Sequence, residues 1–297
     1  MNNMQTVISA SRRTDIPAFY LDWFLARLKA GSFCLVNPFN SQERIVESTR
    51  AKVHSIVFWS KNFRPLLEKA VQLTGWPAVF NFTLNSPESL LEPGVPPLGE
   101  RLRQMRELIS LYGARSVRWR FDPVVFYRRG GKIRENLGAY EFLLDFAAGL
   151  GLKACTISFM DQYRKIAARE KLVEDFRFIY PGPELMLEKA SWMAEKAGER
   201  GIKLLTCCES GLSRTGIPNL EAGRCIDHGL LTELYGGTLS GKPDSGQRRS
   251  AGCLCQESVD IGSYRDQPCL CGCLYCYANP ASRPGGKNNK GQDIQPE

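Results

Sequence analysis

Histidine is nearly absent. The 297-residue chain holds two, His54 and His228. A zinc hydrolase with several His ligands is therefore all but excluded on ligand count. Long apolar runs are missing too, and none reaches the ~18 residues that a membrane span needs. Over Met1 to Ser11 no basic segment leads into an apolar stretch, so the sequence reads as having no signal peptide, and a cytoplasmic protein with no membrane partner is expected. No GxGxxG follows the first expected strand, which removes the support for a dinucleotide-binding fold. No internal repeat is visible.

What remains is an ordinary globular composition, 43% hydrophobic and 24% charged. The length suits one large α/β domain or two small ones, and it can bury a full core without covalent staples. The formal net charge of +8 admits a nucleic acid or another anionic partner. A well-solvated basic surface explains the same charge.

Short apolar, β-branched runs alternate with longer segments of helical period. Strands are expected at 6–11, 55–60, 78–84, 116–121, 153–159 and 203–207. Helices are expected at 19–30, 64–73, 98–112, 137–149 and 183–201. Such alternation argues for parallel βα units. The fold class is α/β, a partial or complete TIM-like (β/α) barrel over residues 1–235; a doubly wound open sheet is the alternative. A cysteine-rich segment at 236–283, beginning with a loop at 236–247, is expected to pack on the barrel mouth. Residues 284–297 read as a disordered tail. Polar residues stand where each strand should end, and in a barrel those ends form the active-site face. Turn chemistry alone also selects such residues.

Eleven cysteines in a reducing compartment argue for metal or redox chemistry over disulfides. Cys34 and Cys155 stand alone in apolar surroundings and read as core packing. The other nine fall between Cys207 and Cys276, a concentration that packing does not produce. Cys269, Cys273 and Cys276 form C-x3-C-x2-C, short enough for one loop to wrap several thiolates around an iron–sulfur cluster. Three such ligands leave one iron of a cubane without a protein ligand. Cys271 lies inside the motif and competes for a ligand place. A second set, Cys207, Cys225, Cys253 and Cys255, has the four thiolates of a closed tetrahedral site for a second [4Fe-4S] cluster or zinc. Cys208 competes with Cys207, and unrelated buried thiols are the plain alternative.

The motif, with Tyr275 before its last cysteine, resembles the signature of the radical S-adenosylmethionine (radical SAM) superfamily. That resemblance implies a [4Fe-4S] cluster whose open iron chelates S-adenosyl-L-methionine, reductive cleavage to a 5′-deoxyadenosyl radical, a βα barrel, and an electron donor such as ferredoxin or flavodoxin. The motif usually follows the first strand of the fold, and here it follows the last. Residues 6–280 also resemble an uncharacterised bacterial family, the domain of unknown function numbered eighteen forty-eight. The pieces that carry this likeness are SASRRTDIPAFY, NPFN, FWSKN, TCCE, CID and CxCxxSxDIGxYxxxxCxCxCxYCYAN.

Arg12, Arg13, Asp15, Lys61, Arg120, Asp122 and Glu209 are the candidate binding residues of the mouth, since Arg suits bidentate carboxylate or phosphate recognition. Each has an equal claim to a structural ion pair, and no acid or base role is assigned. Three functions compete: a radical SAM enzyme on an unidentified substrate, a non-catalytic iron–sulfur or zinc protein that binds a partner, and a nucleic-acid-binding module with a structural metal. Arg118-Trp119 and Phe126-Tyr127-Arg128 are the Arg–aromatic pairs that point to nucleic acid.

Overall fold

The protein is described by a computed structural model covering residues 5–36 and 42–278. The expected tail at 284–297 and the NPFN piece lie outside the described residues.

Eight strands form one parallel sheet. They are β1 (Thr6–Ala10), β2 (Val53–Ser60), β3 (Ala78–Thr83), β4 (Val117–Val124), β5 (Ala154–Phe159), β6 (Lys203–Thr206), β7 (Leu220–Ala222) and β8 (Val259–Asp260). From β1 to β7 each strand pairs with the one before it, and β8 returns to the free side of β1. A doubly wound sheet would reverse direction midway; here β1 to β7 run in one direction and only the last strand, β8, lies on the other side of β1. No ladder joins the edge strands β7 and β8 among the described residues, so the hydrogen-bonded closure of a complete barrel is absent.

The central strands are apolar on both faces, as parallel strands between helical layers must be. In β2, VHSIVFWS, every residue but Trp59 is buried. The helix Leu98–Tyr112 buries Arg101, Gln104, Met105 and Leu108, one face at helical spacing. It ends where Gly113 takes a φ of 81°, open to glycine without cost. The helix Pro183–Gly198 starts on its proline and buries Ala190, Met193, Ala194 and Ala197. Phe58 stacks on Phe80 at 5.6 Å in the core between.

All six expected strands are present, within a few residues. The expected helix at 64–73 is split into Arg64–Glu68 and a 3₁₀ turn at Ala70–Leu73. Unforeseen are β7, β8, a hairpin of Ser32–Val36 with Glu43–Glu47, and a three-stranded antiparallel sheet of Phe126–Arg129, Lys132–Glu135 and Phe176–Ile179. The hairpin corrects one expectation: Cys34 is exposed, because strand alternation turns Phe33 inward and Cys34 out. Cys155 is fully buried as expected.

Strand β8 is two residues long, and a carboxylate fixes it. Asp260 accepts Ser9 Oγ at 2.7 Å, Ser11 Oγ at 2.6 Å, the Arg12 amide at 2.8 Å and the Gly262 amide at 3.0 Å. Replacing Asp260 by Ala leaves those donors without their acceptor. Urea unfolding should show a loss on the order of 3 kcal/mol, with Asp260→Asn losing less. A change below about 0.5 kcal/mol, the usual bound for a surface substitution, would show that β8 docks by other means.

Candidate functional site

At the carboxyl ends of the strands lies a cavity of about 280 Å³, close to the ~300 Å³ lower end of small-ligand sites. It is lined by Ser11 and Arg12 after β1, Ser60 and Lys61 after β2, Arg120 and Asp122 on β4, Ser158 on β5, and Cys207 after β6. The remaining wall is the C-terminal segment. Cys207, Cys208, Cys225, Cys253, Cys255, Cys269, Cys271, Cys273 and Cys276 all face this one space, and none is in a disulfide.

The two thiol sets form separate contacts. In the first, Cys271 hydrogen-bonds to both Cys269 and Cys273, which, with burial, holds its pKa up. Its loop rests on residues 88–96: the Gly94 amide donates to Cys271 O and the Leu274 amide to Leu91 O, both at 2.9 Å. A Cβ on Gly94 would come within 2.7 Å of that carbonyl, so only glycine fits. Arg169 donates to Leu274 O at 3.0 Å from the other side. Beneath the loop, Leu91, Tyr127, Ile166, Phe176 and Phe178 pack against Cys271, Cys273 and Leu274, so the unforeseen antiparallel sheet is the floor of the cysteine loop.

In the second set Cys207 and Cys225 are 3.6 Å apart and Cys207 and Cys208 4.0 Å. Cys208 also contacts Cys253, and Cys255 contacts Cys225 and Cys253. Cys208 therefore joins the four expected members as a fifth thiol; it has a positive φ of 61°. Hydrogen bonds from Cys207 and Cys255 hold the Cys225 pKa well below its ordinary value, with Arg120 and Arg118 adding positive charge against the cost of burial. Arg120 Nη1 lies 2.8 Å from Cys225 Sγ.

Among the described residues no group of three or more His, Cys, Asp or Glu side chains is arranged around a single metal ion. The lining nonetheless carries nine thiols beside the carboxylates of Asp15, Asp122 and Asp161, and they face a space larger than one ion needs. That chemistry fits a multi-atom sulfur-bound group better than a lone cation. Two buried polar atoms of the lining, Arg12 Nη2 and Thr14 Oγ1, have no hydrogen-bond partner, which further suits a polar ligand.

Of the seven expected binding residues, Arg12, Asp15, Lys61, Arg120 and Asp122 line the cavity, while Arg13 and Glu209 stand beside it. Arg12 pairs with Asp244 at 3.3 Å and lies over Trp59. Arg13 instead donates to Gly262 O at 3.1 Å. Burial raises the Asp15 carboxyl to about 6, against donation from the Ala18 and Lys61 amides. Burial likewise raises Glu209 to about 7; its carboxylate accepts the Phe159 amide. Arg120 pairs with Asp122, which also accepts Ser158 Oγ. Burial opposes both charges, yet each holds the other ionised: the Asp122 pKa is lowered and that of Arg120 raised.

Lys61 is the centre of a network that the sequence did not suggest. Its ammonium bonds Glu92 at 2.9 Å and lies 5.5 Å from the centre of the Tyr275 ring. Glu92 also accepts Asn85 Nδ2 at 2.9 Å and the Tyr275 hydroxyl, with Arg101 at 3.8 Å. Burial would raise the Glu92 pKa, but Lys61 and its other partners bring it below the ordinary value. Only the polar residue types of residues 85–92 signalled this network. The two histidines are structural: His54 bonds Gly236 O, and His228 bonds Glu257 O. The Arg–aromatic pairs read as nucleic-acid pointers are not surface features, since Trp119, Phe126 and Tyr127 are buried.

Fold and cavity together define a parallel α/β protein with a thiol-walled chamber at the carboxyl ends of its strands. The chain belongs to the family described as Domain of unknown function (DUF1848), whose profile matches residues 7–278. No curated protein matches it. Among the described residues no helix is long and apolar enough to cross a membrane.

Because Glu92 is buried and Lys61 largely so, removing the Lys61 charge alone should cost more than neutralising both residues. Lys61→Met alone is expected to destabilise by on the order of 3 kcal/mol, and Lys61→Met with Glu92→Gln, which removes the charge but keeps an acceptor for Asn85 and Tyr275, by clearly less. Denaturant unfolding of the single and double variants checks this. Equal losses would mean that Arg101 and Tyr275 suffice to hold the carboxylate.

Proposed function

We propose that the chain is an iron–sulfur enzyme of the radical SAM type acting on a substrate held in the cavity. The observation that carries this reading is the convergence of nine thiols, drawn from four separate stretches of sequence, on one chamber at the strand ends. Cys269, Cys273 and Cys276 are the ligands of the reactive [4Fe-4S] cluster. The run of β1 to β7 in one direction, with β8 back beside β1, supports reading the sheet as an unclosed βα barrel. With β8 beside β1, a cluster loop near the end of the sequence still enters the mouth next to the first strand.

When bound, a cubane with one iron free of protein ligands supplies one-electron cleavage of S-adenosyl-L-methionine to a 5′-deoxyadenosyl radical. The chain's own residues bind, orient and shield. Arg12, with its free Nη2 on the cavity, suits a carboxylate of the cofactor or substrate. Lys61 and Arg120 reach the lining already neutralised by Glu92 and Asp122, so they orient hydrogen bonds without adding net charge. Burial of Cys271, Cys273 and Tyr275 keeps water from the inner side of the loop. Cys207, Cys225, Cys253 and Cys255 are read as a closed site for a second cluster or zinc, with the 3.6 Å Cys207–Cys225 contact in its favour. An external donor of the ferredoxin or flavodoxin kind would supply electrons.

One observation favours a second, non-catalytic reading. Cys271 touches both Cys269 and Cys273, so its thiol is placed to become a fourth ligand and close the iron. The experiment separates the two. Anaerobically purified protein is expected to be brown, to contain iron and sulfide, and to lose most of its iron when Cys269, Cys273 and Cys276 are replaced by Ala. With dithionite and S-adenosyl-L-methionine it should release 5′-deoxyadenosine, read by chromatography. Product from Cys271→Ala alone would assign Cys271 as a competitor for the open iron. No product from either protein, with the cluster spectrum intact, would establish the electron-transfer or structural role. Colourless protein with stoichiometric zinc would end the iron–sulfur reading.

A further inference from the structure

The rim of the chamber has its own chemistry. Tyr264 and Tyr277 are 43% and 41% exposed. Tyr277 and half-buried Tyr163 line the opening with Cys276, and Tyr264 stands near enough to Cys276 and Tyr277 to feel their charge. Scattered exposed aromatics need no explanation, but three converging at a cavity mouth do. Tyr163 and Tyr277 are held in place. The Tyr163 and Tyr277 rings lie 5.8 Å apart at 34°, and Tyr277 OH donates to Arg12 O at 3.1 Å. Arg248 donates to Tyr163 OH at 3.2 Å.

Cations interleave with these rings. Arg13 and Lys165 lie 6.0 Å and 5.9 Å from the centre of the Tyr264 ring. Exposed beside them in sequence are Arg164, which with Lys165 starts the helix Arg164–Glu170, Arg249 in a 3₁₀ turn, and Arg265. The exposed acids among them are Asp161, which pairs with Arg248, and Asp266, 3.9 Å from Arg265; the half-buried carboxylates of Asp122, Glu209 and Asp260 lie behind the rim. Held aromatic faces alternating with excess positive charge are what a polymer of planar bases and phosphates requires. A base still stacked in a duplex has no free face to offer and cannot enter a chamber of about 280 Å³.

We infer that this rim binds single-stranded nucleic acid, seating bases on Tyr163, Tyr264 and Tyr277 and phosphates on Arg13, Lys165 and Arg248. This names the substrate class of the proposed enzyme and rests on that reading only for the chemistry that would follow. The bound base nearest the opening is then the part of the strand presented to the chamber.

The test is equilibrium binding of fluorescein-labelled oligothymidylate and oligouridylate to the full chain, followed by anisotropy, with a duplex and heparin as comparisons. Single strands should bind more tightly than the duplex, and affinity should fall as salt rises. Tyr264→Ala should weaken binding by about tenfold, and Lys165→Glu should weaken it and flatten the salt dependence. Arg249→Glu, on an exposed turn, is the second charge variant should Lys165→Glu fail to fold; thermal melting monitors each. Tighter duplex binding overturns the inference. So does binding that heparin matches and that Tyr264→Ala leaves unchanged, which would mean a merely basic surface. Absence of binding at low salt overturns it as well. Binding requires neither cluster reduction nor cofactor cleavage. Protein that binds strands yet yields no 5′-deoxyadenosine therefore refutes the enzymatic reading alone, and the reverse result refutes this one alone.

Discussion

Everything at the mouth depends on where Asp260 puts its carboxylate. Two serine hydroxyls from the end of β1 and two backbone amides converge on it. Strand β8 is too short to hold itself by ladder bonds, so this cluster of side-chain bonds fixes its register against β1. Both C-terminal thiol stretches flank that point, Cys253 and Cys255 before it and Cys269 to Cys276 after it. Gly262 completes the fit: a Cβ there would fall 2.1 Å from Ser11 Oγ, so no other residue lets the chain pass this close to β1.

A second constraint follows from burial. The cysteine loop has no regular structure of its own, and buried backbone polar groups must find partners elsewhere. They find them in residues 88–96 and in the Arg169 guanidinium, while the Phe126–Ile179 antiparallel sheet supplies the apolar floor. The loop is thus positioned by two insertions into the βα pattern, one after β3 and one around β4 and β5. Those insertions are what distinguish this mouth from a plain parallel sheet.

The main sheet was legible in the sequence because its inner strands are continuous apolar runs, which period and β-branching mark well. Strands β7 and β8 were not, since LEA and VD carry no period at all and are strands only through their neighbours. The three-stranded sheet hid for a related reason: FYRR and KIRE read as charged surface, and only pairing with FRFI turns Tyr127 inward. At the site, cysteine spacing divided the thiols into two groups that also make separate contacts in the fold, with Cys208 added to the second, and strand ends located Arg12, Lys61, Arg120 and Asp122. Glu92 escaped because it lies in an irregular segment without period or motif, and Asn85 was marked only as a polar residue at a strand end. Tyr163, Tyr264 and Tyr277 lie far apart in sequence and meet only through the fold, whereas adjacent Arg-Trp and Phe-Tyr-Arg pairs looked more suggestive and are core.

The position of β8 also orders events in time. During synthesis the strands emerge from the amino terminus onward, so β1 to β7 are available before β8 and the loop behind it exist. Until then the β1 edge is bare, with Ser9 and Ser11 lacking the carboxylate they later bind, and an unpaired edge invites wrong partners. The nascent sheet holds Cys207, Cys208 and Cys225 but not the cysteines of the C-terminal loops. The chamber's thiols are therefore completed as a set only once the last strand has docked.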